Sequence, residues 1–324
     1  MIELVARSAS MREAVRLAGR VAATDANVLV TGESGAGKDA LALHLHASSP
    51  RAEGPFVRID CAALPAELLE AELFGYERGA FTGATAAKPG RLEAAHKGTL
   101  VLDEIAHLPR DAQAKLLRVI ERREFERLGG RRTVRVDARL VALTNVDLDD
   151  AVRRRAFRED LFYRLNVVRI HVPPLRERRE DVAPLAEKFL SAYAAKHGRP
   201  ASRFDAGALA ALGLYDFPGN VRELANVVER AVIVSDGREV GAKDLPEPVL
   251  ASARTRALRE RRPTLAELEA DYIREVLAAS RGNKSEAARV LGISRKNLYE
   301  RLARQDAGAA CRASGVSEKP VTDG

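Results

Sequence analysis

Tryptophan is absent from this 324-residue chain, and aromatic residues make up only 5% of it. Cysteine occurs twice, at Cys61 and Cys311, without the spacing of a metal site. Two distant cysteines provide no disulfide framework and fit a reducing compartment. No apolar run reaches the ~18 residues of a membrane span, and the first residues lack a signal-peptide core. These absences argue against a membrane or secreted protein and predict a cytoplasmic location.

Positive charge, in contrast, is concentrated near the carboxyl end. Residues 251–304 contain 13 Lys or Arg against 7 Asp or Glu, so almost all of the net charge of +7 lies there. A localised basic surplus is the electrostatic footprint of a nucleic-acid-binding surface. A solvated basic tail has the same composition, so charge alone leaves both interpretations open.

Residues 1–173 alternate β-branched runs with helical stretches, which predicts an α/β domain with a parallel sheet. The predicted strands are Val28–Thr31, Phe56–Ile59, Leu100–Leu102, Leu140–Leu143 and Val167–Val172. Pro173-Pro174 ends this pattern. Residues 174–240 predict a small helical domain, and residues 241–263, with three prolines and many charges, predict a linker. Residues 264–304 return to helical periodicity, and the polar tail 305–324 is predicted to be disordered.

A glycine-rich loop joins the first predicted strand to a helical stretch. Its residues are Gly32, Glu33, Ser34, Gly35, Ala36, Gly37, Lys38 and Asp39. Glycines let backbone N–H groups close around phosphate oxygens, and the helix N-terminus adds partial positive charge. Lys38 is predicted to reach the β- and γ-phosphates of a nucleotide. Generic phosphate loops have Ser or Thr after the lysine to bind Mg²⁺, so whether Asp39 is a metal ligand stays open.

Two carboxylates, Asp103 and Glu104, follow a later apolar strand, well downstream of Lys38. Ligands of open α/β sheets bind at the carboxyl ends of the strands. We therefore predict that Asp103 holds Mg²⁺ through its water shell and that Glu104 polarises the attacking water.

Between these two halves lies the hexapeptide GAFTGA. It resembles the contact loop of the sigma-54-dependent transcription activators, the NtrC-type AAA+ proteins, in which this loop touches the sigma factor of RNA polymerase and ATP hydrolysis remodels the promoter complex. The resemblance assigns sigma-54 contact to Gly79, Ala80, Phe81, Thr82, Gly83 and Ala84. Phe81 and Thr82 would form the exposed tip. Residues 124–130 resemble a second loop that supports the first.

Three further segments resemble the same family. The run 157–166 is similar to FREDLYYRLN, which implies that Arg164, and secondarily Arg158, reach the γ-phosphate of a neighbouring subunit. Arginines that act in this way are called arginine fingers. Because they act on the nucleotide of another subunit, they require an oligomer, and the family forms hexameric rings. Asn145 resembles the sensor of the γ-phosphate, with Thr144 as the alternative. The run 217–224 is similar to WPGNVREL and implies that Arg222 is a second sensor.

One position departs from the family pattern. Where relatives often have an Asn that restrains the catalytic Glu, this chain has Asp60. An ionised Asp cannot donate a hydrogen bond to Glu104, and two adjacent carboxylates repel each other. We therefore include Asp60 in the catalytic set and expect an altered restraint or a shared proton.

The carboxyl-terminal pattern resembles a Fis-type helix-turn-helix. A helix over Leu265–Ser280 precedes residues 283–294, in which Gly292 makes the turn and Ser294 caps the next helix. Leu298 and Leu302 are predicted to face the core. The predicted DNA-binding residues are Lys284, Ser294, Arg295, Lys296, Asn297, Tyr299 and Arg301. A helical hairpin that binds no DNA is the alternative.

Together these features predict an α/β P-loop AAA+ domain with a helical lid and an all-α DNA-binding domain. The resemblance implies an ATP- and Mg²⁺-dependent activator whose partners are sigma-54 RNA polymerase, double-stranded upstream DNA and further copies of itself. Two alternatives are a regulator that works without sigma-54 and a AAA+ remodeller of DNA or protein, such as a helicase loader.

The ATPase signature begins almost at Met1, without a receiver domain before it. Either a separate regulatory protein controls the activator, which Met1 favours, or the chain is a fragment.

Overall fold

A computed structural model of the protein describes residues 4–261, 264–280 and 282–302. The chain separates into two compact units, residues 1–253 and 254–324. The tail 305–324, for which we predicted disorder, lies outside the described residues. None of the helices in the described ranges has the length and apolarity that a membrane crossing requires.

The first unit is built on a five-stranded parallel sheet in the order β2-β3-β4-β1-β5. Its strands are β1 (Val28–Thr31), β2 (Phe56–Asp60), β3 (Thr99–Asp103), β4 (Arg139–Thr144) and β5 (Val168–His171). All five predicted strands are present, and each begins and ends within one residue of its predicted bounds. Every side chain of β3 and β4 is buried, which is why these strands are almost continuously apolar in sequence.

Helices cover both faces of this sheet and continue into the lid, and α12 and α13 belong to the second unit. They are α1 (Ala9–Ala22), α2 (Lys38–Ala47), α3 (Ala66–Phe74), α4 (Arg91–Ala94), α5 (Arg110–Arg122), α6 (Leu148–Arg153), α7 (Glu159–Leu165), α8 (Val182–His197), α9 (Ala206–Leu214), α10 (Asn220–Val234), α11 (Glu247–Arg261), α12 (Leu265–Ala279) and α13 (Lys284–Val290). Successive residues of a strand point to opposite faces. Accordingly, Val28 and Val30 pack with α1 and α2, whereas Leu29 packs into the cluster that includes α3, α5 and α7.

Three pairs of short strands carry loops or tie segments together. Gly75–Tyr76 pairs antiparallel with Lys88–Pro89, and Glu124–Glu126 pairs antiparallel with Thr133–Arg135. Arg203–Phe204 and Glu239–Val240 form a parallel pair in the lid. The first two hairpins hold the GAFTGA segment and the predicted supporting loop.

The lid extends beyond its predicted end at residue 240. Residues 241–263, predicted to be a linker, contain α11, and Leu245, Val249 and Ala253 are buried in the lid core. Pro246 and Pro248 do not oppose this helix, because proline is tolerated in the first turn, where backbone N–H groups have no intrahelical partner. Two of the three prolines that suggested a linker therefore mark the start of a helix.

Candidate functional site

The phosphate loop connects β1 to α2 at the carboxyl edge of the sheet. Gly32, Gly35 and Gly37 have positive φ angles, and Gly37 precedes the first residue of α2. Lys38 is buried, and its Nζ donates to the carbonyl oxygens of Gly32 at 3.0 Å and Glu33 at 3.2 Å. The lysine thus folds back over the loop, where its charge would meet phosphate oxygens.

The two predicted carboxylates lie at the end of β3. Asp103 is buried, and its Oδ1 accepts a hydrogen bond from the Glu104 backbone N–H at 3.0 Å. Glu104 has a left-handed φ of 51°, an unusual conformation for a non-glycine residue and one that occurs frequently at functional sites. Its carboxylate lies 3.8 Å from Lys38 Nζ and accepts from the Asn145 N–H at 3.3 Å. Backbone strain therefore aims Glu104 at the phosphate-loop lysine.

The residues present fit a bound Mg²⁺. Mg²⁺ is held by one or two carboxylates together with waters and substrate phosphates. Asp39 and Asp103 both lie against the Arg58 guanidinium, and Asp39 Oδ1 is a buried oxygen without a hydrogen-bond partner among the described residues. Burial raises the pKa of the Asp39 carboxyl, opposed by the charge of Arg58. Asp39 is therefore placed as a second carboxylate for the metal, and its role remains a prediction.

The lid touches the phosphate loop directly. Arg222 Nη1 donates to Ser34 Oγ at 3.1 Å, and the Val221 N–H donates to the Gly35 carbonyl at 3.0 Å. A Cβ added to Gly35 would lie 2.5 Å from the carbonyl oxygen of Gly219, so this position admits only glycine. Arg222 thus lies where the second sensor was predicted.

A second lid contact was not predicted from the sequence. The Arg176 guanidinium makes two hydrogen bonds to Glu33, at 2.6 and 2.8 Å, and the buried Asn220 amide donates to Glu33 Oε2 at 3.0 Å. The Arg176 and Asn220 hydrogen bonds lower the pKa of Glu33 to about 2. The sequence signalled Asn220 only as a helix start, and it gave no indication that Arg176 would meet the phosphate loop.

The two candidate sensors of the γ-phosphate, Thr144 and Asn145, lie at the carboxyl end of β4 and differ in exposure. Thr144 is buried, and its Oγ1 is engaged with the backbone of Val146, donating at 3.2 Å and accepting at 3.0 Å. Asn145 is exposed next to Glu104. The geometry favours Asn145 as the residue free to meet a phosphate.

Asp60 does not adopt the expected relation to Glu104. It lies opposite Asp103 in the β2–β3 register, but its carboxylate is exposed and accepts from the Ala62 N–H at 2.9 Å. Among the described residues, no hydrogen bond joins Asp60 to Glu104. The left-handed backbone turns Glu104 toward Lys38, while a local side-chain turn holds Asp60, so the geometry offers no support for a shared proton.

The two finger candidates lie on the surface near α7. The Arg158 side chain pairs with Asp160 through two hydrogen bonds of 2.7 and 3.0 Å, and Arg164 pairs with Glu121 at 3.2 Å. Arg158 lines an open cavity of 720 Å³ together with three further arginines, Arg110, Arg153 and Arg155. These surface positions leave both guanidinium groups accessible to another molecule, as a role in trans requires.

The GAFTGA segment projects from the hairpin Gly75–Tyr76/Lys88–Pro89. Gly79 and Gly83 have positive φ, and the Gly79 N–H closes the loop on the Ala84 carbonyl at 2.9 Å. Phe81 is 39% exposed with its ring edge-on to Tyr76, and Thr82 is exposed. The predicted exposed tip is therefore present.

The predicted supporting loop lies against the base of the GAFTGA hairpin. Backbone hydrogen bonds of 3.0 Å run from the Glu77 N–H to the Leu128 carbonyl and from the Leu128 N–H to the Gly75 carbonyl. Arg127 binds both oxygens of Glu93, at 2.7 and 2.8 Å, and reaches Glu77 at 3.1 Å. These contacts tie the hairpin to α4 in the body of the domain.

The second unit has the predicted helical arrangement. Residues 295–302 form a helix in which Leu298 is buried and Leu302 packs against the core, and Gly292, with a φ of 67°, makes the turn before it. The Asn297 N–H donates to Ser294 Oγ at 3.2 Å. This hydrogen bond is the one expected of an N-cap serine. Arg295 and Lys296 are exposed.

Two predicted DNA-binding residues, however, bond to each other. Arg301 Nε donates to Asn297 Oδ1 at 2.8 Å, and the same guanidinium pairs with Glu269 on α12. Lys284 Nζ lies 4.7 Å from the centre of the Tyr299 ring. Arg301 is thus occupied within the unit, which weakens its prediction as a base-contacting residue.

Comparison with known proteins assigns all three segments. Residues 4–171 match the family described as Sigma-54 interaction domain, residues 176–262 the AAA+ ATPase lid domain, and residues 264–304 the bacterial regulatory proteins of the Fis family. The chain belongs to the sigma-54-dependent transcriptional activators. The lid match reaches residue 262, and Val249 and Ala253 in the first part of α11 are buried in the lid core.

Relatives align along most of this activator. It is 44% identical to regulatory protein AtoC of Escherichia coli K12, covering 92% of this chain and 67% of the relative. It is 46% identical to the alginate biosynthesis regulator AlgB of Pseudomonas aeruginosa, covering 92% and 66%. Among solved structures, NtrX of Brucella abortus in complex with ATP has 38% identity and a TM-score of 0.71, covering 93% of this chain and 69% of that one.

One buried network of the activator was missed from the sequence. The Asp181 carboxylate accepts from the Ser8 N–H at 2.8 Å and the Ser8 hydroxyl at 2.9 Å, and Arg178 donates to the Ala36 carbonyl in the phosphate loop. Burial lowers the pKa of Arg178. The charge-dense run RERRED looks like surface sequence, so no local signal marked these two residues as buried.

Proposed function

We propose that this activator hydrolyses ATP with Mg²⁺ and uses the energy to remodel a sigma-54 RNA polymerase promoter complex into its open form. The observation that carries this proposal is the exposed GAFTGA tip mounted on a AAA+ phosphate-loop domain. The loop supports contact with sigma-54 through Phe81 and Thr82, and Lys38 and Glu104 support the hydrolytic role. Because the proposed target is a promoter complex, we also propose that the protein acts in the cytoplasm.

The deciding experiment is open-complex formation by sigma-54 RNA polymerase on a sigma-54 promoter, with ATP or a non-hydrolysable analogue. We expect opening with ATP only. Thr82→Ala should lose opening and keep ATPase activity, whereas Thr85→Ala, an exposed threonine of the same loop outside the hexapeptide, should retain both. Equal opening by Thr82→Ala would point to the alternative of a AAA+ remodeller with another target.

We further propose that hydrolysis occurs between subunits of a ring, a hexamer by family resemblance. The exposed positions of Arg158 and Arg164 support fingers that act on a neighbour. Arg164→Ala and Glu104→Gln should each be nearly inactive as ATPases. Mixing the two should restore activity, because an intact finger then meets an intact site. Arg154→Ala, which removes an exposed arginine outside the finger segment, should behave as wild type, and a mixture without restored activity would contradict action in trans.

DNA binding is proposed for the second unit, with Arg295 and Lys296 as the accessible cations. Substituting both with Ala should weaken binding to upstream double-stranded DNA and reduce the salt dependence of the affinity, because fewer phosphate counterions are released. An activator that opens promoters only with a further protein present would identify the separate regulator expected from the sequence.

A further inference from the structure

Arg58 lies in the middle of β2 and projects into the metal end of the nucleotide site. Its Nη2 lies 2.5 Å from Asp103 Oδ2 and 3.3 Å from Asp39 Oδ1. One guanidinium nitrogen therefore bridges the carboxylate that follows the phosphate-loop lysine and the carboxylate that ends β3. These are the two oxygen donors that fit Mg²⁺.

Arg58 donates a hydrogen bond to only one of the two carboxylates that it bridges. Asp103 is buried and accepts a short, charge-assisted hydrogen bond from Arg58. Asp39 Oδ1 is buried at its atom but lacks a hydrogen bond within the described part of the chain, although Arg58 is near. A buried oxygen that lacks a donor is costly, so the pair of carboxylates is only partly neutralised by this arginine and would gain from a dication.

We propose that Arg58 is a positioning residue that acts as an internal counter-cation and competes with Mg²⁺ for Asp39 and Asp103. The inference rests on the proposed nucleotide site and deepens it. In the absence of nucleotide, Arg58 holds the two carboxylates together and opposes binding of the metal alone. When a nucleotide occupies the phosphate loop, its phosphates supply further oxygen ligands, and Arg58 yields the carboxylates to the metal. The residue thereby makes metal entry depend on nucleotide.

Removing the arginine should expose this competition. Arg58→Gln leaves a polar side chain and removes the charge, whereas Arg58→Lys keeps the charge. A matched control is Arg169→Gln, because Arg169 also lies in a strand of the sheet, is 41% exposed against 44% for Arg58, and pairs with Asp149 at 2.8 Å.

The first measurement is thermal unfolding of the full chain without nucleotide, in EDTA and in millimolar Mg²⁺. Wild type and Arg169→Gln should show the same melting temperature in both conditions. In EDTA, Arg58→Gln should have a lower melting temperature than wild type, because the two carboxylates then face each other without a cation. Mg²⁺ should raise the melting temperature of this variant. Arg58→Lys should resemble wild type. An Arg58→Gln protein whose melting temperature is indifferent to Mg²⁺ would overturn the proposal.

The second measurement is the Mg²⁺ dependence of binding of a fluorescent, non-hydrolysable ATP analogue. The half-saturating Mg²⁺ concentration should fall about three- to tenfold in Arg58→Gln, the range expected for removing a partly exposed competing charge. At saturating Mg²⁺ the analogue should bind equally to all variants. Weaker binding there by Arg58→Gln alone would mean that Arg58 contacts the nucleotide, which overturns the inference. Failure of wild type to bind the analogue would instead contradict the proposed function, and the melting data would still decide the competition.

Discussion

The two glycine-rich loops of the activator are built in opposite ways. In the phosphate loop, a Cβ at Gly32 would lie 2.6 Å from the Val172 carbonyl oxygen, and one at Gly35 would meet the lid. In the GAFTGA loop, a Cβ at Gly79 or Gly83 would meet nothing within 4 Å. At Gly32 and Gly35 of the first loop, glycine is required by close packing as well as by backbone angle, whereas at Gly79 and Gly83 of the second it is required by backbone angle alone.

We interpret this difference as the separation of a fixed part, the phosphate loop, from a movable part, the GAFTGA loop. The phosphate loop is enclosed by β5, the lid and Lys38, so that its N–H groups are held ready for phosphate. The GAFTGA loop is held at its base by Arg127 and Leu128, and its Ala80 lies against Gly129, whereas its tip at Phe81 and Thr82 faces solvent. A protein that converts hydrolysis into movement needs both, because a loop packed on all sides could not change position without breaking those contacts.

The strongest test inactivates the fixed part and leaves the movable part intact. Glu104→Gln should lower ATPase activity by at least about 100-fold, because the variant cannot polarise the attacking water. Binding of ATP should persist, and the promoter should stay closed. Steady-state phosphate release and nucleotide binding measure the two effects, with Glu53→Gln, a surface substitution, as the control. Substantial hydrolysis by Glu104→Gln would remove Glu104 from its assigned role.

Paired alanine substitutions sharpen the comparison between the loops. Gly35→Ala should destabilise the protein by about 2 kcal/mol or more and impair nucleotide binding, because the new methyl group overlaps the lid. Gly83→Ala should cost only about 1 kcal/mol, the strain of a positive φ, and should keep nucleotide binding. Chemical denaturation and nucleotide titration compare the two variants. Equal losses of nucleotide affinity would show that the loops are not separate in function.

Loosening the base of the GAFTGA hairpin tests the movable part. Arg127→Ala should cost about 1–2 kcal/mol, because it removes the charged hydrogen bonds to Glu93 and Glu77. ATPase activity should be retained while open-complex formation falls. Arg131→Ala, an exposed arginine of the same hairpin, serves as the control, and an unchanged yield of open complex in Arg127→Ala would show that this support is dispensable.

The smallest expected effect concerns the ion pair between Glu33 of the phosphate loop and Arg176 of the lid. The pKa of Glu33 is lowered from 4.5 to about 2 in the folded state, so its pairing stabilises the fold above pH 4.5 and is lost as the pH falls toward 2. The Glu33 and Arg176 side chains are each 41% exposed, so solvent screens the pair. Glu33→Gln should therefore destabilise the protein at neutral pH by only about 1 kcal/mol.

The pH dependence of that loss provides the measurement. In denaturation experiments, the difference between Glu33→Gln and wild type should vanish as the pH falls from 4.5 to about 2. The control is Glu177→Gln, because the Glu177 carboxylate lies 3.8 Å from the same Arg176 guanidinium. Its free energy of unfolding should differ little from that of wild type. A difference that persists undiminished at the acid end would mean that the Glu33 charge does not hold the lid.

Contiguous motifs were predictable, since local sequence encodes local geometry. The five strands follow from β-branched runs, the phosphate loop from glycines between a strand and a helix, and the turn of the second unit from Gly292. The exposed tip at Phe81 and Thr82 was also foreseen. Each depends on residues within a few positions of one another, where hydrophobic period and turn chemistry act directly.

Pairs of distant charges were not predictable. Arg176 meets Glu33 across 143 positions, and Arg58 meets Asp103 across 45. The sequence around a charged residue does not indicate which distant residue it will contact. An arginine in an ion pair and an arginine exposed to solvent can occur in the same sequence pattern. The separation of Asp60 from Glu104 was not predictable either, because it depends on the left-handed backbone of Glu104 and on the local turn that holds Asp60. A catalytic role for Asp60 stays a prediction.

The fold class, the phosphate loop and the exposed GAFTGA loop therefore follow from the sequence alone, because they reside in short runs with their own geometry. Three features emerged only on folding: residues 247–253 complete the lid core, Arg301 pairs with Glu269 on another helix, and Arg58 lies between Asp39 and Asp103. These outcomes depend on which surfaces are buried together, and burial is a property of the assembled chain.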